Sequence, residues 1–426
     1  MIYIFGFTTA VLCYIGIVII FCVVYFLTPK KYIWFSFVVV VLLLSVLAYN
    51  LVPVSTDDLV IYYHHIDVMR EDGYDGLQYA IEQDWFSWKT FRVGAYYCYF
   101  ISLLPSNSFL PFFNILICYG TQFYVVYIVA KRLDIGKGVL FIASFIIIAF
   151  YYYYDVWSGT RNGVGFAIIA VSIFEILFEQ KRYVISCIGL IAGSLMHSSA
   201  FAFCVVLFLV IFIHYMIDRL KFSKFLIYTL VIFGYLFICA IISLVSETFN
   251  ISFLSKIANR LTNISFFSID FLISFFKEDT TAANVNFLTL LIIIIGLVIC
   301  YTYVDLYEKE GHPFGKNVLI CYEYLATFSI YTLGTFLCGN AGGLLAIRLI
   351  RFVLPQIISV YIMLQTTTYN VFIEGAKSKA LENNKFCELS VIDELIPYYD
   401  VALVVFTIMQ FAFSVTGTSL IYANFG

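Results

Sequence analysis

The chain has 426 residues, of which 62% are hydrophobic and only 12% charged, about half the roughly 25% charged share of an ordinary soluble domain. Its mean hydropathy is +0.96, and its apolar residues come in runs of about 20, the length that crosses a hydrocarbon core as a helix. A soluble core could not enclose that much apolar surface. The 24 basic and 27 acidic residues leave a formal charge of -3 without any basic block, which excludes nucleic acid as a partner.

Apolar runs between charge clusters predict spans near 2–27, 32–52, 108–130, 138–154, 162–178, 183–196, 199–217, 225–246, 285–304, 317–338, 352–368 and 398–422. This is the pattern of an all-α polytopic membrane protein with about twelve transmembrane helices in a single domain, 1–426. The first run is too long for a signal-peptide core and lacks a basic flank before it, so it is expected to stay as the first span. The piece 93–104 stops at Pro105, too short to cross as a helix, and reads as re-entrant or interfacial. Ten of the eleven cysteines fall in apolar runs with no CxxC or CxxH spacing, so neither disulfides nor a metal site is expected. No cofactor motif is present either.

Lys30 and Lys31, Lys131 with Arg132 and Lys137, Lys181 with Arg182, and Arg219 with Lys221 and Lys224 fall in alternate short loops. Basic flanks stay cytoplasmic, so the N-terminus is expected outside. Extracytoplasmic loops then run over 53–92 and 247–284. The first carries eight acidic residues against three basic ones, and the second contains an aromatic stretch, Ile264 to Phe276, suited to the membrane surface. The polar stretch 369–397 is assigned to the cytoplasm.

Ionisable groups beside spans are costly, and four clusters of them fall on the expected outer side. STDDLVIYYHH holds Asp57, Asp58, Tyr62, Tyr63, His64 and His65, and also reads as an acidic helix cap on an exposed loop. YYYYDVWSGTRNG holds Tyr154, Asp155 and Arg161. Arg161 opens a span, the wrong end for the helix dipole, so an anionic partner explains it better. GSLMHSSAFAF holds His197 after a span of only about 14 residues; a lone histidine there is commonly a hydrogen-bonded core side chain. IRLIRFVLP places Arg348 and Arg351 one turn apart, suiting either a diphosphate clamp or lipid head groups.

The order of these segments resembles the EpsG family, Wzy-like polymerases of bacterial capsule and exopolysaccharide loci. It runs from an acidic loop with D-x-x-x-Y spacing at Asp58 and Tyr62, through Arg161 opening a span, to a short span ending in Met196-His197-Ser198-Ser199-Ala200 and a late arginine pair. The residues before Asp58 (Val54-Ser55-Thr56-Asp57) and Asn162 after Arg161 depart from the family pattern. The resemblance implies an enzyme of the bacterial cytoplasmic membrane that joins undecaprenyl-diphosphate-linked oligosaccharide repeats on the outer face, in an architecture related to lipid-dependent (GT-C-like) glycosyltransferases. Flippase and chain-length regulator proteins are its expected partners. Under that reading Arg161, Arg348 and Arg351 bind the diphosphate, His197, Asp58 or Asp155 is the general base, and Tyr62 and Tyr154 face sugars. Tyrosines at such positions also form the ordinary interfacial belt. A flippase for the same lipid-linked oligosaccharide and a membrane O-acyltransferase are the alternatives.

Overall fold

The computed structural model describes residues 3–4, 7–53, 57–179, 182–197, 200–220, 290–298, 301, 303–304, 307–308, 311–312, 314–336, 352–353, 355–370, 400–412 and 424–425. These residues are mostly helical. Among them three helices are long and apolar enough to cross a membrane: Thr9–Leu27, Phe109–Arg132 and Thr160–Phe178. Shorter apolar helices include Trp34–Asn50, Lys137–Phe150, Tyr183–Met196 and Asp400–Ala412. The expected span 225–246, the surface segment Ile264 to Phe276 and almost all of 369–397 lie outside the described residues.

Helix α1 (Thr9–Leu27) and α2 (Trp34–Asn50) are apolar around their whole circumference, as expected of helices surrounded by lipid and other helices. Pro29, with no amide hydrogen to donate, follows the end of α1, and Thr28 Oγ1 takes up the Val24 carbonyl at 2.6 Å. Tyr3–Ile4 and Phe7–Thr8, expected within the first span, instead pair as two short antiparallel strands. At the far end of the chain, Asn424–Phe425 pairs antiparallel with Leu51–Val52 just beyond α2.

Within the acidic stretch 53–92, residues 57–92 form a small folded layer. It holds α3 (Asp58–Asp72), α4 (Tyr74–Glu82) and the turn Trp85–Ser87, and leads into α5 (Arg92–Ser102). Gly73, at φ +61°, makes the corner between α3 and α4. Helix α5 has 11 residues, the short element expected there. It packs on α3, α4 and α10.

Helix α6 (Phe109–Arg132) is central, packing on α2, α7 (Lys137–Phe150), α8 (Tyr153–Ser158) and α9 (Thr160–Phe174). The run 138–154, expected as one span, breaks after Phe150. The break is held by tyrosines from other helices: Tyr14 Oη donates to the Ile148 carbonyl at 3.1 Å and Tyr119 Oη to that of Tyr151 at 2.5 Å. The carbonyls that a continuous helix would have paired internally thus find donors elsewhere. Helix α10 (Tyr183–Met196) lies against α9 through small residues. A Cβ on Gly193 would come within 2.8 Å of the Gly165 carbonyl, and one on Gly189 would collide with Ser172 Oγ, the close backbone approach that small residues allow. Helix α11 (Phe201–Leu220) packs on Gly315–Phe336, with Phe203 and Phe328 centroids 4.7 Å apart.

The two ends of the bundle differ in charge. At one end Lys30 Nζ lies 2.7 Å from Asp134 Oδ1, and Lys137 Nζ donates to the carbonyls of Phe26 and Thr28. This gathers the α1–α2 and α6–α7 connections on one side. The opposite end carries the 53–92 layer and the α7–α9 connection, held together by hydrogen bonds from Trp157 Nε1 to the Ala48 carbonyl at 3.1 Å and from Tyr153 Oη to that of Leu44 at 2.8 Å.

Candidate functional site

Arg161 sits in the first turn of α9 and reaches into the 53–92 layer. Its Nε donates to Tyr62 Oη at 2.9 Å, its Nη1 donates to the Phe86 carbonyl, and its guanidinium lies 4.6 Å from the centre of the Phe86 ring. Phe86 in turn stacks on Tyr62, with centroids 4.4 Å apart. Every group holding this half-buried cation is neutral. Among the described residues no carboxylate pairs with Arg161. A guanidinium confined by neutral acceptors and rings has N–H groups to spare, which fits an anion binder.

The Arg161 position depends on a buried polar relay. Asn114 of α6 accepts from Tyr97 Oη at 3.0 Å and donates to Thr160 Oγ1 at 3.0 Å and to the Trp157 carbonyl at 3.2 Å. One fully buried amide thus ties α5, α6 and the α8–α9 corner, and the residue after Thr160 is Arg161. At that corner, Phe352 packs over Gly163, where a Cβ would come within 3.2 Å of its ring, and over Gly159. Gln122 Nε2 donates to the Phe352 carbonyl at 3.4 Å.

Burial raises the Tyr62 phenol above the ordinary tyrosine range, outweighing the pull of the neighbouring Arg161 charge. Tyr62 therefore stays a neutral prop for the arginine. Behind it His65 is pushed down to about 4, by burial first and by His64 second, with its ring stacked on Trp85 at 3.9 Å. It is a neutral imidazole at physiological pH.

The connection carrying Trp85 and Phe86 has left-handed backbone at three non-glycine residues, Asp84 (φ 55°), Phe86 (φ 48°) and Ser87 (φ 63°). Aspartate tolerates this region; a bulky phenylalanine in it costs on the order of 1–3 kcal/mol and persists only where its surroundings hold it. Here the holding contacts are the Arg161 donor on its carbonyl and the Tyr62 and Arg161 faces on its ring.

The sequence matches no protein-family model, no curated protein and no solved structure. The site therefore stands on its own geometry.

The structure brings Arg161 and Tyr62 into contact. Tyr154 Oη donates to Asp57 Oδ1, the residue before Asp58, so the first two clusters meet through this pair as well. Asp58 is exposed at the start of α3, and Asp155 is half-buried within α8. His197 follows α10 in extended backbone, 4% exposed, its ring edge-on to Phe166 with centroids 6.2 Å apart. Phe166 lies five residues beyond Arg161 on α9, about 7.5 Å along the axis. Arg348 and Arg351 lie outside the described residues, although Phe352 packs beside the turn that bears Arg161. Sequence reasoning missed Phe86, Trp88 and Asn114. The density of rings in Asp84-Trp85-Phe86-Ser87-Trp88, inside an otherwise acidic loop, was the available signal for the first two.

Proposed function

We propose that the protein is a polysaccharide polymerase of the bacterial cytoplasmic membrane. It transfers a growing oligosaccharide from undecaprenyl diphosphate to a second lipid-linked repeat on the outer face, within an assembly of about twelve spans akin to lipid-dependent glycosyltransferases. The observation that carries this reading is Arg161: a half-buried guanidinium with no carboxylate partner among the described residues, beside a span start, at the end of the bundle opposite the Lys30, Arg132 and Lys137 loops.

In this reaction an acceptor sugar hydroxyl attacks the donor's anomeric carbon. The new glycosidic C–O bond forms as the bond from that carbon to the diphosphate oxygen breaks, and undecaprenyl diphosphate leaves with the electron pair. Arg161 is placed to meet the charge gathering on the phosphate oxygens, the kind of interaction that lowers a transition state because it strengthens as charge develops. The hydroxyl proton passes to a general base, for which His197, Asp58 and Asp155 are the candidates. Support for the diphosphate reading also comes from Phe352, which carries the chain after the Arg348–Arg351 segment to the Arg161 corner.

The test is deletion of the gene in its host, followed by mass measurement of lipid-linked and surface glycans and of the membrane face they occupy. Single repeat units exposed outside, with longer chains missing, are expected. Units trapped inside would identify a flippase, and full-length polymer lacking an acyl group an acyltransferase.

A further inference from the structure

Trp88 is fully buried, yet among the described residues its indole N–H has no hydrogen-bond acceptor. A buried donor left unpaired is costly, and native structures keep few of them. Its surroundings give it a use. A Cβ built on Gly94 would lie 3.3 Å from Trp88 Nε1, 3.6 Å from Arg161 Cδ and 3.7 Å from Arg161 Cγ. Glycine at 94 thus lets the indole nitrogen and the arginine stem close on the same stretch of α5 backbone with no side chain between them. Phe86 occupies the guanidinium with both its carbonyl and its ring, and Phe86 and Trp88 centroids are 5.7 Å apart. The same short segment supplies an orphan donor beside the arginine and the group that covers the arginine.

We propose that Trp88 Nε1 and the Arg161 guanidinium form one anion subsite for a lipid-linked diphosphate, and that Phe86 is its displaceable cover. This rests on the polymerase reading for the identity of the anion. Phosphate oxygens replace the Phe86 carbonyl on Nη1 and accept from the indole N–H, so a ligand satisfies the donor the empty arrangement leaves unpaired. The left-handed backbone at Phe86 and Ser87 favours departure of the segment once its carbonyl is released. Tyr62 keeps its hydrogen bond to Nε throughout and fixes the plane of the guanidinium. Among the described residues no carboxylate is paired with Arg161 to compete for the ligand.

The experiment uses the full-length protein in nanodiscs of zwitterionic lipid, titrated calorimetrically with inorganic pyrophosphate and, separately, with farnesyl diphosphate. Trp88→Phe removes the N–H and, with it, one ring of the indole, so its melting temperature is expected to fall through the cavity it leaves. It is expected to weaken pyrophosphate binding about tenfold, the value of one hydrogen bond to a charged group, measured at a temperature where the variant is fully folded. Phe86→Ala is expected to tighten binding several-fold by removing the competitor, and this variant carries the test if Trp88→Phe fails to fold. Unchanged affinity in Trp88→Phe would overturn the indole's role, and unchanged or weaker affinity in Phe86→Ala would overturn the cover. Farnesyl diphosphate should bind tighter than pyrophosphate; equal affinity would overturn the lipid-linked assignment. Loss of binding in phosphatidylglycerol nanodiscs would show a site for bulk lipid head groups and also overturn it. Pyrophosphate binding with these mutant effects, in a protein whose deletion leaves polymer intact, would remove the polymerase reading while the anion subsite stands.

Discussion

The Nε of Arg161 and the phenol oxygen of Tyr62 lie 2.9 Å apart, joining the first turn of α9 to the second turn of α3. The hydrogen bond uses the one guanidinium nitrogen that points back along the side chain and leaves the terminal nitrogens for other partners. Arg161→Ala is expected to abolish polymer formation with the protein still in the membrane. Tyr62→Phe, which removes only the acceptor, should slow polymerisation of lipid-linked repeats in membrane vesicles about tenfold, as expected for about 1.5 kcal/mol of lost charged hydrogen bonding. Wild-type chain length in Arg161→Ala would remove the arginine from the site.

His65 makes stability depend on pH in a stated direction. Its folded value of about 4 lies below the ordinary histidine value of roughly 6.5, so between these limits the unfolded chain binds more protons. The histidine's contribution is therefore complete above about pH 6.5 and is lost as pH falls toward about 4. The melting temperature of the purified protein should fall between pH 7 and 5, and His65→Phe should flatten that slope. An equal slope in the variant would assign the acid sensitivity to other groups.

Asn114 predicts a loss that passes through position. Asn114→Ala strands the partly buried Tyr97 Oη and the carbonyl of the buried Trp157, costing on the order of 1–3 kcal/mol. Both melting temperature and polymerisation rate should drop. A Thr160→Val change, which removes one of the four bonding groups, should have a smaller effect on both.

The α9–α10 contact predicts intolerance to a single methyl group. In Gly193→Ala the new Cβ meets Ile169 Cγ1 and the Gly165 carbonyl, and the overpacking should cost about 1–3 kcal/mol, read as a lowered melting temperature. Gly16→Ala on α1, where a Cβ meets nothing, is the control and should melt as the wild type does.

Where a long apolar run ends at a charge or a proline, sequence and structure agree closely. Tyr183–Met196 occupies the residues expected of it, and Arg92–Ser102 is the short helix that Pro105 foretold. Such boundaries are set locally, by desolvation and by missing donors, and so are legible in sequence. The break after Phe150 was not, because hydropathy carries no record of Tyr14 and Tyr119 reaching in from other helices. The 53–92 layer likewise read as a loop, since α3 mixes acidic and apolar residues without a strong period and α4 is only nine residues long. At the site, Arg161 stood out by its cost beside a span, and Tyr62, named for sugar contact, lies hydrogen-bonded to it. Trp88 and Gly94 could not be read at all, because a donor left unpaired among the described residues and its close approach to a glycine exist only once the chain has folded.

The tyrosine-sealed break between α7 and α9 bears on how the protein tolerates its surroundings. A helix end in hydrocarbon normally needs water or head groups to satisfy its carbonyls, which ties it to a fixed depth. Here the Ile148 and Tyr151 carbonyls are met by phenols of the protein itself, and the Tyr152 carbonyl by the Val156 amide. The connection brings its own solvation. Because those bonds are made by the protein itself, the corner that presents Arg161 is expected to keep them in thicker and thinner bilayers alike.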